Sequence, residues 1–296
     1  MDASVKPRPR RVVYTSLFGY SERFNDFSYD RDGDIDFICF TDDPDLKSSF
    51  WTIRHVERGM LDPARACKRF KALPHRFLPE YDWSLYIDNV VRLKQQPRLI
   101  FDQYLSESPS PLVLYRHPER DCVYDEAEQV IRLNFDDPRR VRAQMQYYRH
   151  LGYPPHHGLV STTFLLRRHN DPELIKLAEQ WRQQVLTHSK RDQLSLNPVM
   201  WFAGFQPTYM SQRFGDFEVF DRPIVPGNVR VPRDFDDARY LKLNPDVTDD
   251  PRRHYLYHGA VEGRHYRDLT GYLCYVGGRL YFLRHRLKFW QRRRVA

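Results

Sequence analysis

Asp88 closes the apolar run of YDWSLYIDNVVRLK, residues 81–94. Before it, Trp83, Leu85 and Ile87 alternate with Ser84 and Tyr86, the pattern of a buried strand entered through the turn Pro79-Glu80-Tyr81-Asp82. A carboxylate at the C-terminal end of such a strand in an α/β sheet points into the crevice where ligands bind. There it would either hold a hard divalent cation that bridges to phosphate oxygens, or cap the turn that follows. Lys68 and Lys71 precede this strand on a predicted helix, one turn apart. They are point charges suited to a diphosphate, or else part of a solvated helix face. His117, Arg120 and Asp121 follow another strand end; they line a ligand site, or Arg120 and Asp121 form a structural pair. Asp192 follows the Ser189-Lys190-Arg191 loop and opens an apolar helix. It reads as an N-cap, or as a carboxylate kept ionised by the cations beside it, with Gln193 as a hydrogen-bonding neighbour. His156 and His157, before Gly158, form a surface pair or touch a second substrate.

The elements that must position these groups alternate. Residues 11–19 (RVVYTSLFG) and 34–41 (DIDFICFT) read as strands, and 51–56 as a third. Asp62-Pro63 opens a helix by the N-cap and proline rule, with Ala66, Cys67, Phe70 and Leu73 at helical spacing and Pro74 ending it. After the strand that ends at Asp88 come a short strand at 111–115, helices over 124–132 and 138–150, and the apolar strand 159–167. Asp171-Pro172 opens another helix whose inner face is Leu174, Leu177, Ala178 and Trp181. Strand and helix alternating at this spacing predict an α/β fold, a mostly parallel sheet with helices on its faces. Val231-Pro232 marks a break, and residues 236–244 and 251–259 read as two short helices around Pro245. The expected organisation is a main domain over 1–232, a small helical appendage over 233–270 and a tail over 271–296.

Composition narrows the function classes. At 41% hydrophobic and 15% aromatic, the 296 residues can bury a core, and no apolar run is long enough to span a membrane. The N-terminal MDASVKPRPRR has no apolar h-region, so no signal peptide is expected. Four widely spaced cysteines without a CxxC predict reduced thiols and a cytoplasmic protein. Net charge is +8, but residues 279–296 alone carry seven Lys/Arg and no Asp/Glu. The rest is nearly neutral, which argues against nucleic acid as a partner of the main domain. In the tail, Leu280, Leu283, Leu287 and Trp290 recur at helical spacing among arginines. That pattern suits an anionic membrane surface contacted through 279–294, at the inner face of the membrane, or packing on the main domain.

Six stretches in order, VVYTSLFG, DFICFTD, KALPHRFLPEYD, LYIDN, HPERDCVYDEA and SKRDQLS, cover about residues 11–200. Together they resemble a glycosyltransferase-like family that includes plant mucilage-related Golgi proteins and bacterial polysaccharide-locus proteins. The resemblance implies a GT-A-type fold and sugar transfer from a nucleotide-sugar donor, a UDP-sugar in particular, to a saccharide or glycoconjugate acceptor in surface polysaccharide synthesis. It implies Asp88 as ligand of a Mn or Mg cation and Lys68, Lys71, His117, Arg120 and Asp121 as donor-binding. It implies Asp192 and Gln193 as catalytic. The triplet Asp88-Asn89-Val90 departs from the two-carboxylate DxD of most GT-A enzymes. That departure motivates a second reading, a non-catalytic carbohydrate-binding or scaffold protein that kept the fold. FDDARYLKLNPDV with HYLYHGAVEGR resembles a small module often found beside bacterial glycosyltransferases.

Overall fold

The computed structural model describes residues 9–19, 23–30, 34–106, 108–132, 135–211, 217–223, 231–232, 235–248, 250–259 and 264–267. In chain order the first half holds β1 (Arg11–Leu17), β2 (Ile35–Thr41), β3 (Thr52–His55), α1 (Pro63–Ala72), α2 (Pro74–Phe77), β4 (Trp83–Ile87), β5 (Arg92–Leu93), α3 (Pro97–Tyr104) and β6 (Leu112–Arg116). The second half holds α4 (Val123–Arg132), α5 (Pro138–His150), β7 (Val160–Arg167), α6 (Pro172–Thr187), α7 (Gln193–Phe202), β8 (Thr208–Met210) and β9 (Phe220–Asp221). Then come α8 (Asp237–Leu243) and α9 (Pro251–His254), which runs into a π-helical turn, Tyr255–Gly259.

The main sheet has seven strands in the order β3-β2-β1-β4-β7-β6-β8. All neighbours run parallel except at β7, which is antiparallel to both β4 and β6. This is the mostly parallel, helix-flanked α/β sheet that the alternation of elements predicts. The central strands are apolar on both faces because helices cover both. Val12 and Tyr14 of β1 pack with Ala66 and Phe70 of α1 and Trp181 of α6, whereas Val13 and Leu17 pack with Ile100 and Phe101 of α3.

The inverted strand matters for function. At parallel strands β1, β4 and β6 the C-terminal ends form one edge of the sheet, and the N-terminal end of β7 lies at that same edge. The register of β6 against β7 breaks between Leu114 and Tyr115, whose partners are Leu165 and Ser161. Residues 162–164 thus bulge from the ladder, as strands do where a side chain must be re-aimed. The chain divides into two compact units, 1–223 and 224–296. The second has its own small core of Phe235, Tyr240, Val247 and Tyr255. The predicted tail over 271–296 lies outside the described residues.

Candidate active site

Helix α1 brings two lysines to the carboxyl edge of the sheet. Asp62 caps it, accepting from Arg65 N at 3.0 Å, and Pro63 occupies its first turn. The helix buries Ala66 and Phe70, and with them Lys71, which is 3% exposed. Its last turn is held from both sides. Arg167 of β7 donates to the Lys71 carbonyl at 2.8 Å, and the Tyr14 hydroxyl donates to the Phe70 carbonyl at 3.3 Å. A buried lysine needs a partner in the interior. Lys71 Nζ lies 2.7 Å from Asp192 Oδ2 and 3.2 Å from Asp88 Oδ1, donates to Thr162 Oγ1 at 3.3 Å, and faces the Tyr86 ring at 5.1 Å.

These partners come from three places in the chain. Asp88 leaves the end of β4, its N–H bonded to the Thr163 carbonyl at 2.9 Å, with its side chain 36% exposed. Thr162 comes from the bulge of β7. Asp192 precedes α7 but does not cap it. Its backbone is already helical, and its side chain makes no cap bond. Its carbonyl instead accepts from Trp181 Nε1 and Ser195 Oγ, both at 3.0 Å, which turns the carboxylate inward. The contact with Lys71 is off the axis of a hydrogen bond, so this is a charge pair. Lys68, one turn back on α1, stands 3.7 Å from Asp192 Oδ1. Burial alone would raise the Asp192 carboxyl; Lys71 and then Lys68 more than reverse this and hold it well below the usual carboxylate range. Burial pulls Lys71 down, but Asp192 and Asp88 carry it above its ordinary value. Asp192 and Lys71 therefore both carry their charge.

Beside this array opens a cavity of about 560 Å³. The end of β1 (Ser16, Leu17, Phe18), the start of α1 and Lys68 line one part of it, and Asp136, Arg140 and Lys190 another. Gly19 follows β1 at φ +84°, and a Cβ there would stand 2.6 Å from Pro63. Only glycine lets α1 approach the β1 exit this closely.

Of the residues singled out by sequence, Lys68, Lys71, Asp88 and Asp192 are brought together. Gln193 lies at the border, its Nε2 donating to the Val160 carbonyl at 3.0 Å. His117 follows β6. Its Nδ1 accepts from the N–H groups of Glu119 and Arg120 at 3.2 and 3.0 Å. Burial, then the Arg120 charge, pushes its ring down to about 4, so it is neutral. The Arg120–Asp121 pair does not form. Arg120 binds the buried Glu126 at 2.7 Å, and Asp121 points outward to His156 at 2.9 Å. His157 packs edge-on against the rings of Tyr153 and Trp201. Sequence reasoning missed Thr162 and Arg222. Arg222 donates to Thr163 Oγ1 at 3.0 Å and lies within electrostatic reach of Asp88 and Glu119. Only the fold brings residue 222 beside residue 88, and no local pattern marks it.

Among the described residues, Asp88 belongs to no cluster of three His, Cys, Asp or Glu side chains. The Asn89 amide turns away, accepting from Asn25 N at 2.8 Å and donating to the Arg23 carbonyl at 2.7 Å. The one described trio of candidate ligands is Cys122, Asp125 and His156, without Asp88. Asp88 Oδ1 already faces an ammonium.

The sequence matches the family described as TOD1/MUCI70, glycosyltransferase-like domain, over residues 41–219. No curated protein matches it. Among solved structures, the apo crystal structure of mouse xyloside xylosyltransferase 1 aligns over 68% of this chain and 84% of that one, at 10% identity and a TM-score of 0.42. The family match spans more than half of the chain and includes Lys68, Lys71, Asp88 and Asp192: the chain belongs to the TOD1/MUCI70 glycosyltransferase-like family.

Proposed function

We propose that this protein is a glycosyltransferase that moves a sugar from a nucleotide-activated donor, a UDP-sugar in particular, to a saccharide or glycoconjugate acceptor in surface polysaccharide synthesis. Family membership supports the transferase class. The observation that carries the reading is the convergence of Asp88 and Asp192 on Lys71 beside an open cavity at the carboxyl edge of the sheet. The nucleotide end of the donor occupies the cavity, with Lys68 meeting its diphosphate. Transfer breaks the bond between the anomeric carbon and the diphosphate oxygen. The electron pair leaves with the diphosphate, and a preorganised cation lowers the barrier by meeting the charge as it develops. The acceptor hydroxyl forms the new bond to the anomeric carbon and passes its proton to the departing diphosphate oxygen.

Asp192 is too weak a base to take that proton efficiently, because a general base works best with a pKa near the working pH. Its fixed negative charge suits a carbon that turns positive in the transition state. Release of a nucleoside diphosphate from a panel of nucleotide sugars tests the reading; no release from any of them, with carbohydrate retained on the protein, favours the binding or scaffold reading. The lone carboxylate at Asp88 is what keeps that second reading alive. We also place the protein in the cytoplasm, with the basic segment 279–294 on an anionic membrane surface. The alternation of leucines with arginines there supports this. Among the described residues no helix is long and apolar enough to cross a membrane.

A further inference from the structure

Three oxygens from three separate elements converge on one buried nitrogen. Asp192 Oδ2, Asp88 Oδ1 and Thr162 Oγ1 lie 2.7, 3.2 and 3.3 Å from Lys71 Nζ. Two carboxylates and a hydroxyl around a single centre are the oxygen donors that a hard divalent cation takes. Here the centre is an ammonium. Its side chain is 3% exposed, its stem leaves α1 beneath the Arg167 contact, and the Tyr86 ring closes the nearby side. A second cation at Asp88 Oδ1 would share that oxygen with Lys71, and like charges at this range oppose each other. Asp192, the other carboxylate, has a side chain only 6% exposed and two lysines as counter-ions. Of these two lysines, Lys68 is the one that lines the cavity, 16% exposed.

We propose that Lys71 is the built-in cation of this site, standing where a metal would be shared by Asp88 and Asp192, and that the protein binds the diphosphate of its donor without a divalent ion. The proposal rests on the donor reading given above and goes beyond it by assigning the charge that a metal would supply to a side chain. Asp88 and Asp192 then hold Lys71 in place, and their negative charge keeps Lys71 protonated in a buried position. Asp88 is a positioning residue in this scheme, acting through Lys71.

The test is calorimetric binding of UDP, GDP, ADP and CDP to the full chain, once with EDTA and once with excess Mn. At least one should bind, with a Kd that changes by less than about twofold between the two conditions. A Kd tighter by about tenfold or more with Mn, equivalent to about 1.4 kcal/mol, overturns the proposal. If none binds in either condition, the donor reading fails. The ion question is then decided separately by electron paramagnetic resonance of Mn added to the parent protein. Absence of a bound-Mn signal supports Lys71 as the resident cation; a signal that disappears in Asp88→Asn overturns it. In Lys71→Ser the three oxygens face an emptied centre, and this variant should acquire Mn binding that the parent lacks. No gain in a folded variant counts against the assignment, and the parent measurements stand if the variant fails to fold.

Discussion

Asp192 ties stability to chemistry in one carboxylate. Its charge is buried against Lys71 and Lys68, so Asp192→Asn leaves Lys71 with Asp88 as its sole anionic partner. Breaking a buried pair from one side costs about 3–5 kcal/mol, and the remaining pair with Asp88 places this variant at the lower end. Turnover should fall by roughly two to three orders of magnitude, the scale of losing one preorganised electrostatic group at the reacting centre. Urea denaturation beside a nucleotide-release assay checks both, and a variant with parental stability and turnover would remove Asp192 from the site. Histidine 169 sets a separate pH dependence. Its Nε2 donates to the Leu78 carbonyl at 2.9 Å, its Nδ1 is buried without a partner, and burial pushes the ring from 6.5 down to about 4. The folded state thus prefers the neutral ring. The stabilisation is complete above pH 6.5 and is lost as pH falls from 6.5 towards 4, because the unfolded chain takes up the proton first. His117 titrates in the same direction over the same window. The melting temperature should drop across that interval, and His169→Gln should flatten the slope; an unchanged slope would contradict the assignment.

Helix starts marked by an Asp-Pro pair were legible in the sequence. Asp62-Pro63 and Asp171-Pro172 start α1 and α6 where the N-cap rule places them, because each aspartate accepts from the first-turn N–H groups. Helix α3 also begins at a proline, but Gln96 makes no side-chain cap bond, so the chain carries no comparable start signal there. The strand ending at Asp88 was readable from its alternation. The burial of Lys71 was not, since a lysine at that spacing reads equally as a solvated face until β7 closes over it. Asp192 shows the same limit: the sequence offers a capping role that its helical backbone conformation rules out. Helix α1 also yields a prediction through its docking on the β1 exit. Gly19→Ala places a Cβ 2.6 Å from Pro63 at a backbone conformation that side chains rarely adopt. The strain should cost about 2 kcal/mol or more. Because Pro63 and Lys68 line the cavity, nucleotide binding should weaken as well. Parental stability and affinity would show that α1 does not depend on this close approach.

At the scale of the whole molecule, residues 1–223 hold every site residue discussed and form a compact unit, while 224–296 form another. A chain ending at Pro223 should keep a cooperative melting transition and its nucleotide binding; loss of both would show that the two units depend on each other. Co-sedimentation with anionic vesicles should be lost on removing residues 279–296 and weakened by salt, and equal sedimentation of the two chains would end the membrane proposal. The inverted strand β7 also has a consequence for how the protein is made. It sits between β4 and β6 although it is translated after both, and Asp192 emerges about 120 residues later than Lys71. At roughly 5–20 residues per second, the ribosome takes on the order of ten seconds to cover that distance. During that time β4 presents an open apolar edge, and Lys71 has Asp88 alone for a counter-ion. Nascent chains halted before residue 160 should therefore be held by chaperones or aggregate, and the same chains extended past α7 should release.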